Sequence, residues 1–195
     1  MIILGLTGSI GMGKTTTAGF FVKRGIPLHD ADATVHALYG GAAVAPVGAE
    51  FPGTIVDGRV DRGRLGEIVL NDRNAMARLE ALVHPLVRQA EDLFLVKARS
   101  AGASLVVLDI PLLFETGGAA RCHGVVVVTA SAQVQRERVL ARPGMTPARL
   151  EAILARQLPD GEKRRRAHAL IETDRGFAAA QAQVDDFLRA LAGCR

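Results

Sequence analysis

The 195-residue sequence predicts an α/β fold: a five-stranded, mostly parallel sheet flanked by helices. Three observations carry that reading. Short apolar runs recur along the chain as unbroken stretches, which suits strands covered on both faces. Amphipathic helical patterns separate them. A glycine-rich loop, GSIGMGKT, stands between the first run and the first helix.

The first strand is expected at Ile2–Thr7, and Lys14–Arg24 follows the loop as a helix. Ile26–His29 reads as a strand, but Pro27 has no N–H for a ladder, so this strand belongs at a sheet edge. Met76, Leu79, Leu82 and Val83 share one stripe of a helix over Ala75–Val83, with Asp72 as its cap. Pro85 is expected to interrupt, and Leu86–Arg99 to resume as a new helix. Leu105–Asp109 and Val125–Thr129 are the next strands, then a helix over Ser131–Ala141. Thr146-Pro147 signals the start of a helix over Ala148–Leu158. Ala169–Ile171 and a helix over Phe177–Leu191 complete the pattern.

This organisation predicts one domain over residues 1–195. Its core takes residues 1–35, 101–130 and 167–195. A helical insert spans ~36–100 and a helical, arginine-rich segment ~131–166. Inserts of this kind on an α/β core shape a substrate site or a lid.

Composition narrows the classes. Hydrophobic residues make up 49% of the chain, enough for a sizeable core, yet Trp is absent and aromatics are few. Leu, Val, Ile and Ala must build the interior. The net charge is +4, with 20 Arg and only 4 Lys, so the basic balance suits phosphate-bearing partners. Cys122 and Cys194 lack metal-ligand spacing and fit a reduced, intracellular protein. No apolar run reaches the ~18 residues of a membrane helix, and the opening MIILGLTGSIG lacks the basic start of a signal peptide. A cytoplasmic protein without membrane or nucleic-acid partners is expected. Oligomeric state is left open, with a monomer slightly favoured.

Gly8, Gly13, Lys14 and Thr15 satisfy G-x-x-x-x-G-K-[ST]. With 21 Gly, 4 Lys and 14 Ser plus Thr, chance assembles those four positions in only ~0.3% of such chains. The chemistry explains the pattern. Glycine lets the backbone turn several N–H groups toward one point, and the following helix adds its positive end. Gly8, Ser9, Ile10, Gly11, Met12, Gly13, Lys14, Thr15 and Thr16 are therefore expected to hold the phosphates of a nucleoside triphosphate. A side chain at Gly13 would block their approach. Lys14 reaches the β- and γ-phosphates, and the Thr15 hydroxyl ligates Mg²⁺. The absence of N-K-x-D, with Asn71 and Asn74 the only asparagines, argues against a guanine-specific GTPase.

A phosphoryl transfer to a hydroxyl needs a group to take its proton. HDAD, His29 to Asp32, ends the second predicted strand. Asp32 is the expected base and Asp30 a cap for the next helix, although the two roles could be exchanged. Asp109 closes the run LVVLD, the usual place for a second acidic residue on Mg²⁺. In DIPLLFE, Leu112, Leu113 and Phe114 pack rather than react, with Leu112 on the substrate side and Glu115 at the polar tip.

In order along the chain, GLTGSIGMGKT, HDAD, His84-Pro85, DIPLLFE and RPGMTPARLEAILARQ together resemble the dephospho-coenzyme A kinases. The resemblance runs from Met1 to about Gly176. It implies a P-loop NTPase fold with a helical substrate insert and a helical lid. It implies ATP and Mg²⁺, and transfer of the γ-phosphoryl to the ribose 3′-hydroxyl of dephospho-coenzyme A, the last step in making coenzyme A. By the same resemblance Asp32 is the catalytic aspartate, His84 a substrate contact, and Arg142 a lid arginine near the phosphates, with Arg138 and Arg156 weaker candidates. One departure stands out: Ala167-His168 takes the place of the family's A-D. A P-loop kinase of another small acceptor, such as a nucleoside monophosphate, and a nucleotide-dependent nucleic-acid module are the rival readings.

Overall fold

The computed structural model describes residues 1–70 and 72–193; Asn71 and Cys194, named above, lie outside the described residues. Along the chain run β1 (Ile2–Thr7), α1 (Lys14–Lys23), β2 (Leu28–Asp30), α2 (Ala31–Leu38), α3 (Val44–Glu50), β3 (Ile55–Val56), β4 (Arg59–Val60), α4 (Arg62–Val69) and α5 (Arg73–Ser100). Then come β5 (Leu105–Asp109), a short 3-10 turn at Gly118–Arg121, β6 (Gly124–Thr129), α6 (Ala132–Leu140), α7 (Pro147–Leu154), α8 (Asp160–Arg165), β7 (Ala169–Glu172) and α9 (Gly176–Gly193). The chain divides into two units, Met1–Leu28 with Ala101–Arg195, and His29–Ser100.

The first unit is built on the five-stranded sheet, in the order β2-β5-β1-β6-β7. β1 runs parallel to both β5 and β6, and β7 parallel to β6. β5 and β6 are buried along their whole length, the reason their sequences are apolar without alternation. On one face Leu4, Leu6, Val107, Val126, Val128 and Ile171 pack against Phe20 and Phe21 of α1 and Ala180 and Val184 of α9. On the other, Val125 and Val127 pack against Leu113. Phe21 is fully covered, so its truncation to Ala should cost about 3–5 kcal/mol. β2 begins at Leu28, two residues later than the apolar run implies. Pro27 stays outside it and uses its carbonyl, which accepts from the Val107 N–H at 2.9 Å. β2 is the outermost strand, as a proline beside it requires.

The second unit has its own core, in which Val47, Phe51, Val60, Leu65, Val69, Ala75, Leu79 and Val83 converge. Two expectations need correction here. The segment is not wholly helical: Ile55–Val56 and Arg59–Val60 pair as an antiparallel hairpin. Asp57 and Gly58 turn it with φ of 48° and 71°, the conformation that an Asp-Gly pair favours between two strands. Nor does Pro85 break the helix, because α5 continues for 28 residues through it. A proline inside a helix removes one hydrogen bond and opposes helix by about 3 kcal/mol. Burial of Ala75, Leu79 and Val83 before it, and of Glu91 and Ala98 after it, outweighs that local cost. Asp72 caps α5 as expected, accepting from the N–H groups of Asn74 at 2.8 Å and Ala75 at 3.1 Å.

Candidate active site

The residues that can do chemistry in the first unit gather at the carboxyl ends of β1, β5, β6 and β7, where α/β sheets place their ligands. β1 ends at Thr7, whose hydroxyl donates to the Pro111 carbonyl at 2.9 Å. The chain then turns through Gly8–Gly13 into α1. Gly8 is needed for packing: a Cβ there would stand 2.6 Å from the Val128 carbonyl oxygen. Gly13 has φ of 91°, and a Cβ there would meet the Thr173 methyl at 3.2 Å. A side chain at Gly13 is thus disfavoured within the protein both by the positive φ and by Thr173, which would have to give way.

The loop's carbonyls have partners behind it. Gln135 Nε2 donates to the Ile10 carbonyl at 2.7 Å, and the Thr173 hydroxyl to that of Met12 at 2.9 Å. The Ser9 carbonyl accepts from the Met12 N–H at 3.1 Å. Gln157 Oε1 takes the Ile10 N–H at 3.1 Å, and the Met12 sulfur faces the Ala130 N–H at 3.0 Å. The N–H groups of Gly11, Gly13, Lys14, Thr15 and Thr16 have no hydrogen-bond acceptor among the described residues. The last three are the orphan donors that any helix start leaves. The result is a rigid ring of unsatisfied donors at a positive helix end, a geometry able to hold a phosphate group.

Lys14 and Asp109 meet at this loop, Nζ to Oδ1 at 2.7 Å. Thr15 is exposed on the first turn of α1, with no hydrogen bond to its hydroxyl among the described residues. Leu112 is 38% exposed in the segment after β5, while Leu113 beside it is fully buried. Arg142 lies just past α6, exposed and without a carboxylate partner among the described residues. Arg138 differs from it: its guanidinium donates to the Thr173 hydroxyl at 2.7 Å and carbonyl at 2.8 Å. Arg156 is exposed past the end of α7.

A second cluster fixes the segment 110–115. Lys163 is fully buried and its ammonium lies 2.9 Å from Glu115, whose same oxygen accepts from the Leu158 N–H at 2.7 Å. Burial acts to raise the Glu115 carboxyl, but those two donors outweigh it and hold it below the usual carboxylate range. His168, where the resemblance has an aspartate, accepts from the Val125 N–H through Nδ1 at 3.2 Å. The imidazole fills an acceptor position that a carboxylate could also fill.

In the second unit, Asp30 and Asp32 take different places. Asp30 is the N-cap of α2 and accepts from the Ala33 N–H at 2.9 Å. Asp32 lies in the first turn, exposed, with no hydrogen bond or ion pair to its carboxylate among the described residues. His29 is buried, its ring centroid 5.3 Å from that of Phe94 and its Nε2 3.4 Å from the Thr34 hydroxyl. His84 is exposed on α5 in mid-helix, beside Pro85, Arg88 and Gln89 around an open hollow of about 500 Å³. It does not cap a helix end.

Gln135, Gln157, Thr173 and Lys163 were not singled out by the sequence. Only Thr173 carried a usable signal, because it lies two residues past the predicted strand Ala169–Ile171, on the ligand side of the sheet.

Comparison with known proteins adds four findings. Residues 2–179 match the family model described as dephospho-CoA kinase. The dephospho-CoA kinase of Mesorhizobium japonicum is 60% identical over 195 residues, all of this chain and 99% of that one. The crystal structure of TT1252 from Thermus thermophilus superposes with a TM-score of 0.86 at 36% identity, covering 97% of this chain and 96% of that one. Shikimate kinase from Acinetobacter baumannii shares the fold, with a TM-score of 0.57 at 16% identity over 100% of this chain and 95% of that one.

Proposed function

We propose a division of labour among named residues for a chain that belongs to the dephospho-CoA kinase family. The enzyme transfers the γ-phosphoryl group of ATP to the ribose 3′-hydroxyl of dephospho-CoA, giving CoA and ADP. Neither a different small acceptor nor a nucleic-acid module is favoured beside it.

The loop Gly8–Thr16 holds the ATP phosphates on the backbone donors described above. Lys14 supplies the mobile positive charge, exchanging Asp109 for phosphate oxygens. Asp32 accepts a hydrogen bond from the acceptor 3′-hydroxyl and removes its proton as the new oxygen–phosphorus bond forms. The β,γ-bridging oxygen leaves with ADP. The observation that carries this assignment is that the Asp30 carboxylate is taken by the Ala33 N–H, whereas that of Asp32 has no such partner among the described residues. Arg142 closes on the γ-phosphoryl group and helps keep water out. His84 and Leu112 contact dephospho-CoA. In this reading residues ~36–100 form the substrate insert and ~131–166 the lid.

Thr15 and Asp109 offer Mg²⁺ a hydroxyl and a carboxylate. Both are hard oxygen donors, and the ion commonly keeps one or two carboxylates and takes its other ligands from phosphate and water. No group of three or more His, Cys, Asp or Glu that could hold a metal occurs among the described residues, which fits a site completed by substrate. Bound there, Mg²⁺ would neutralise charge on the β- and γ-phosphates. No helix among the described residues is long and apolar enough to cross a membrane. Among the described residues Cys122 is a free thiol, which supports a cytoplasmic location.

The assignment is tested by mixing the protein with Mg·ATP and dephospho-CoA and identifying the product by mass spectrometry. CoA at the expected mass, lost in Asp32→Asn, is the result expected. Full CoA yield from that variant would remove Asp32 from the mechanism.

A further inference from the structure

We propose that Thr173, fixed by Arg138, is the positioning residue that sets the phosphate loop for ATP. The inference rests on reading Gly8–Thr16 as the ATP site. Thr173 is only 6% exposed at the end of β7. Its hydroxyl oxygen accepts from Arg138 Nη1 at 2.7 Å, while Arg138 Nη2 donates to the Thr173 carbonyl at 2.8 Å. That two-point grip orients the hydroxyl, whose proton goes to the nearer of two carbonyls, that of Met12 at 2.9 Å rather than that of Thr129 at 3.4 Å.

A trans peptide sets its C=O and its N–H on opposite sides. Holding the Met12 carbonyl back toward Thr173 therefore turns the Gly13 N–H the other way, into the ring of unsatisfied donors. Gln135 does the same for the Gly11 N–H through the Ile10 carbonyl, at 2.7 Å. Neither loop N–H has an acceptor among the described residues. The donors that meet phosphate are thus aimed by side chains on the far side of the loop. The Thr173 methyl stands against Gly13, where a Cβ would press on it at 3.2 Å.

This role separates cleanly from packing. Thr173→Val keeps the shape and deletes the hydroxyl. The Met12 carbonyl is then left without its donor, and the Gly13 N–H loses its fixed direction. The expected result is a dissociation constant for ATP, by calorimetry, raised about tenfold, equivalent to about 1.4 kcal/mol. KM for dephospho-CoA should stay within about twofold of wild type, since the acceptor does not touch this loop carbonyl. Thr173→Ser restores the hydroxyl and should restore ATP affinity. Arg138→Lys keeps the charge but not the fork and should weaken ATP binding by a few-fold. Arg138 Nη1 also reaches the Gly11 carbonyl at 3.5 Å, so Thr173→Ala, which deletes the same hydroxyl, carries the test should Thr173→Val be too unstable to assay.

Wild-type ATP affinity in folded Thr173→Val, or failure of Thr173→Ser to recover it, would overturn the proposal. Lys14→Ala tells that failure from a failure of the site itself. If Lys14→Ala loses ATP while Thr173→Val keeps it, only the positioning role is wrong. If both keep it, the loop is not the ATP site.

Discussion

Lys14 donates to Asp109 at 2.7 Å, with 14% and 4% of the two side chains exposed. The loop's single ammonium therefore already has an anionic partner before phosphate arrives. Removing one member of a buried pair leaves the other charge desolvated and unpaired, which destabilises by about 3–5 kcal/mol. Asp109→Asn should lower the unfolding free energy by about that much. It should also be rescued more strongly by ATP in the presence of EDTA, because the triphosphate becomes the partner that Lys14 lacks. Thermal melts with and without ATP decide it. Equal ATP-induced shifts in variant and wild type would mean that Asp109 and phosphate do not share this lysine.

Asp30 and Asp32 make opposite predictions although they are two residues apart. Asp30 caps α2 through the Ala33 N–H. Its replacement by Ala should cost about 1 kcal/mol of stability and leave kcat within a few-fold of wild type. Asp32→Asn should leave the melting temperature alone and lower kcat by about 10²–10⁴, the usual contribution of a general base. The crossed pattern, with Asp30 needed for turnover and Asp32 for stability, would exchange their roles.

Arg142 stands exposed and without a carboxylate partner among the described residues. Its truncation should then leave the fold intact. An arginine brought onto a transferring phosphoryl group is worth about 10³–10⁵ in rate. Arg142→Ala is expected to show a kcat lower by at least about 10² with an unshifted melting temperature. Full turnover in that variant would pass the role to Arg156, which is also exposed.

The parts legible in the sequence were those fixed by local chemistry. β1, β5 and β6 were readable because strands buried on both faces need unbroken apolar runs. Asp72 and Thr146 were readable as caps because each accepts from a backbone N–H two or three residues on. Two local signals misled or went unread. Pro85 opposes helix by itself, yet tertiary burial along α5 carries the helix through it. Asp57-Gly58 is a hairpin signal, but its flanking strands have two residues each, too few to show alternation. The supports of the phosphate loop were beyond reach for a different reason. Gln135 contacts a residue 125 positions away, and Thr173 one 161 away. No periodicity or spacing encodes such pairs. Glu115 was visible as a polar tip, but no local pattern marks its partner Lys163, 48 positions on.

That hidden pair gives a pH prediction. Lys163 is fully buried and Glu115 17% exposed at 2.9 Å from it. The Glu115 carboxyl is held below its ordinary range, its burial outweighed by the Leu158 N–H and the Lys163 ammonium. A carboxyl whose folded pKa lies below its unfolded one, near 4.3, contributes stability that is complete above the unfolded value. That stability is lost as pH falls through the folded pKa, where the folded state must also take up the proton. Glu115→Gln keeps the shape and removes the charge, leaving Lys163 buried without its counterion. At pH 7 it should be less stable than wild type by about 3 kcal/mol. The gap should narrow as pH drops below about 4, because the wild-type carboxyl then becomes neutral too. Urea titrations of both proteins at pH 7 and at pH ~3 measure this. Parallel stability curves across that range would show that the carboxylate charge does nothing for the fold. Lys163 also reaches the Pro111 carbonyl at 3.4 Å, and that oxygen accepts from Thr7 at the mouth of the phosphate loop. Turnover in Glu115→Gln should therefore fall along with stability, and do so at pH 7, where the pair is fully charged.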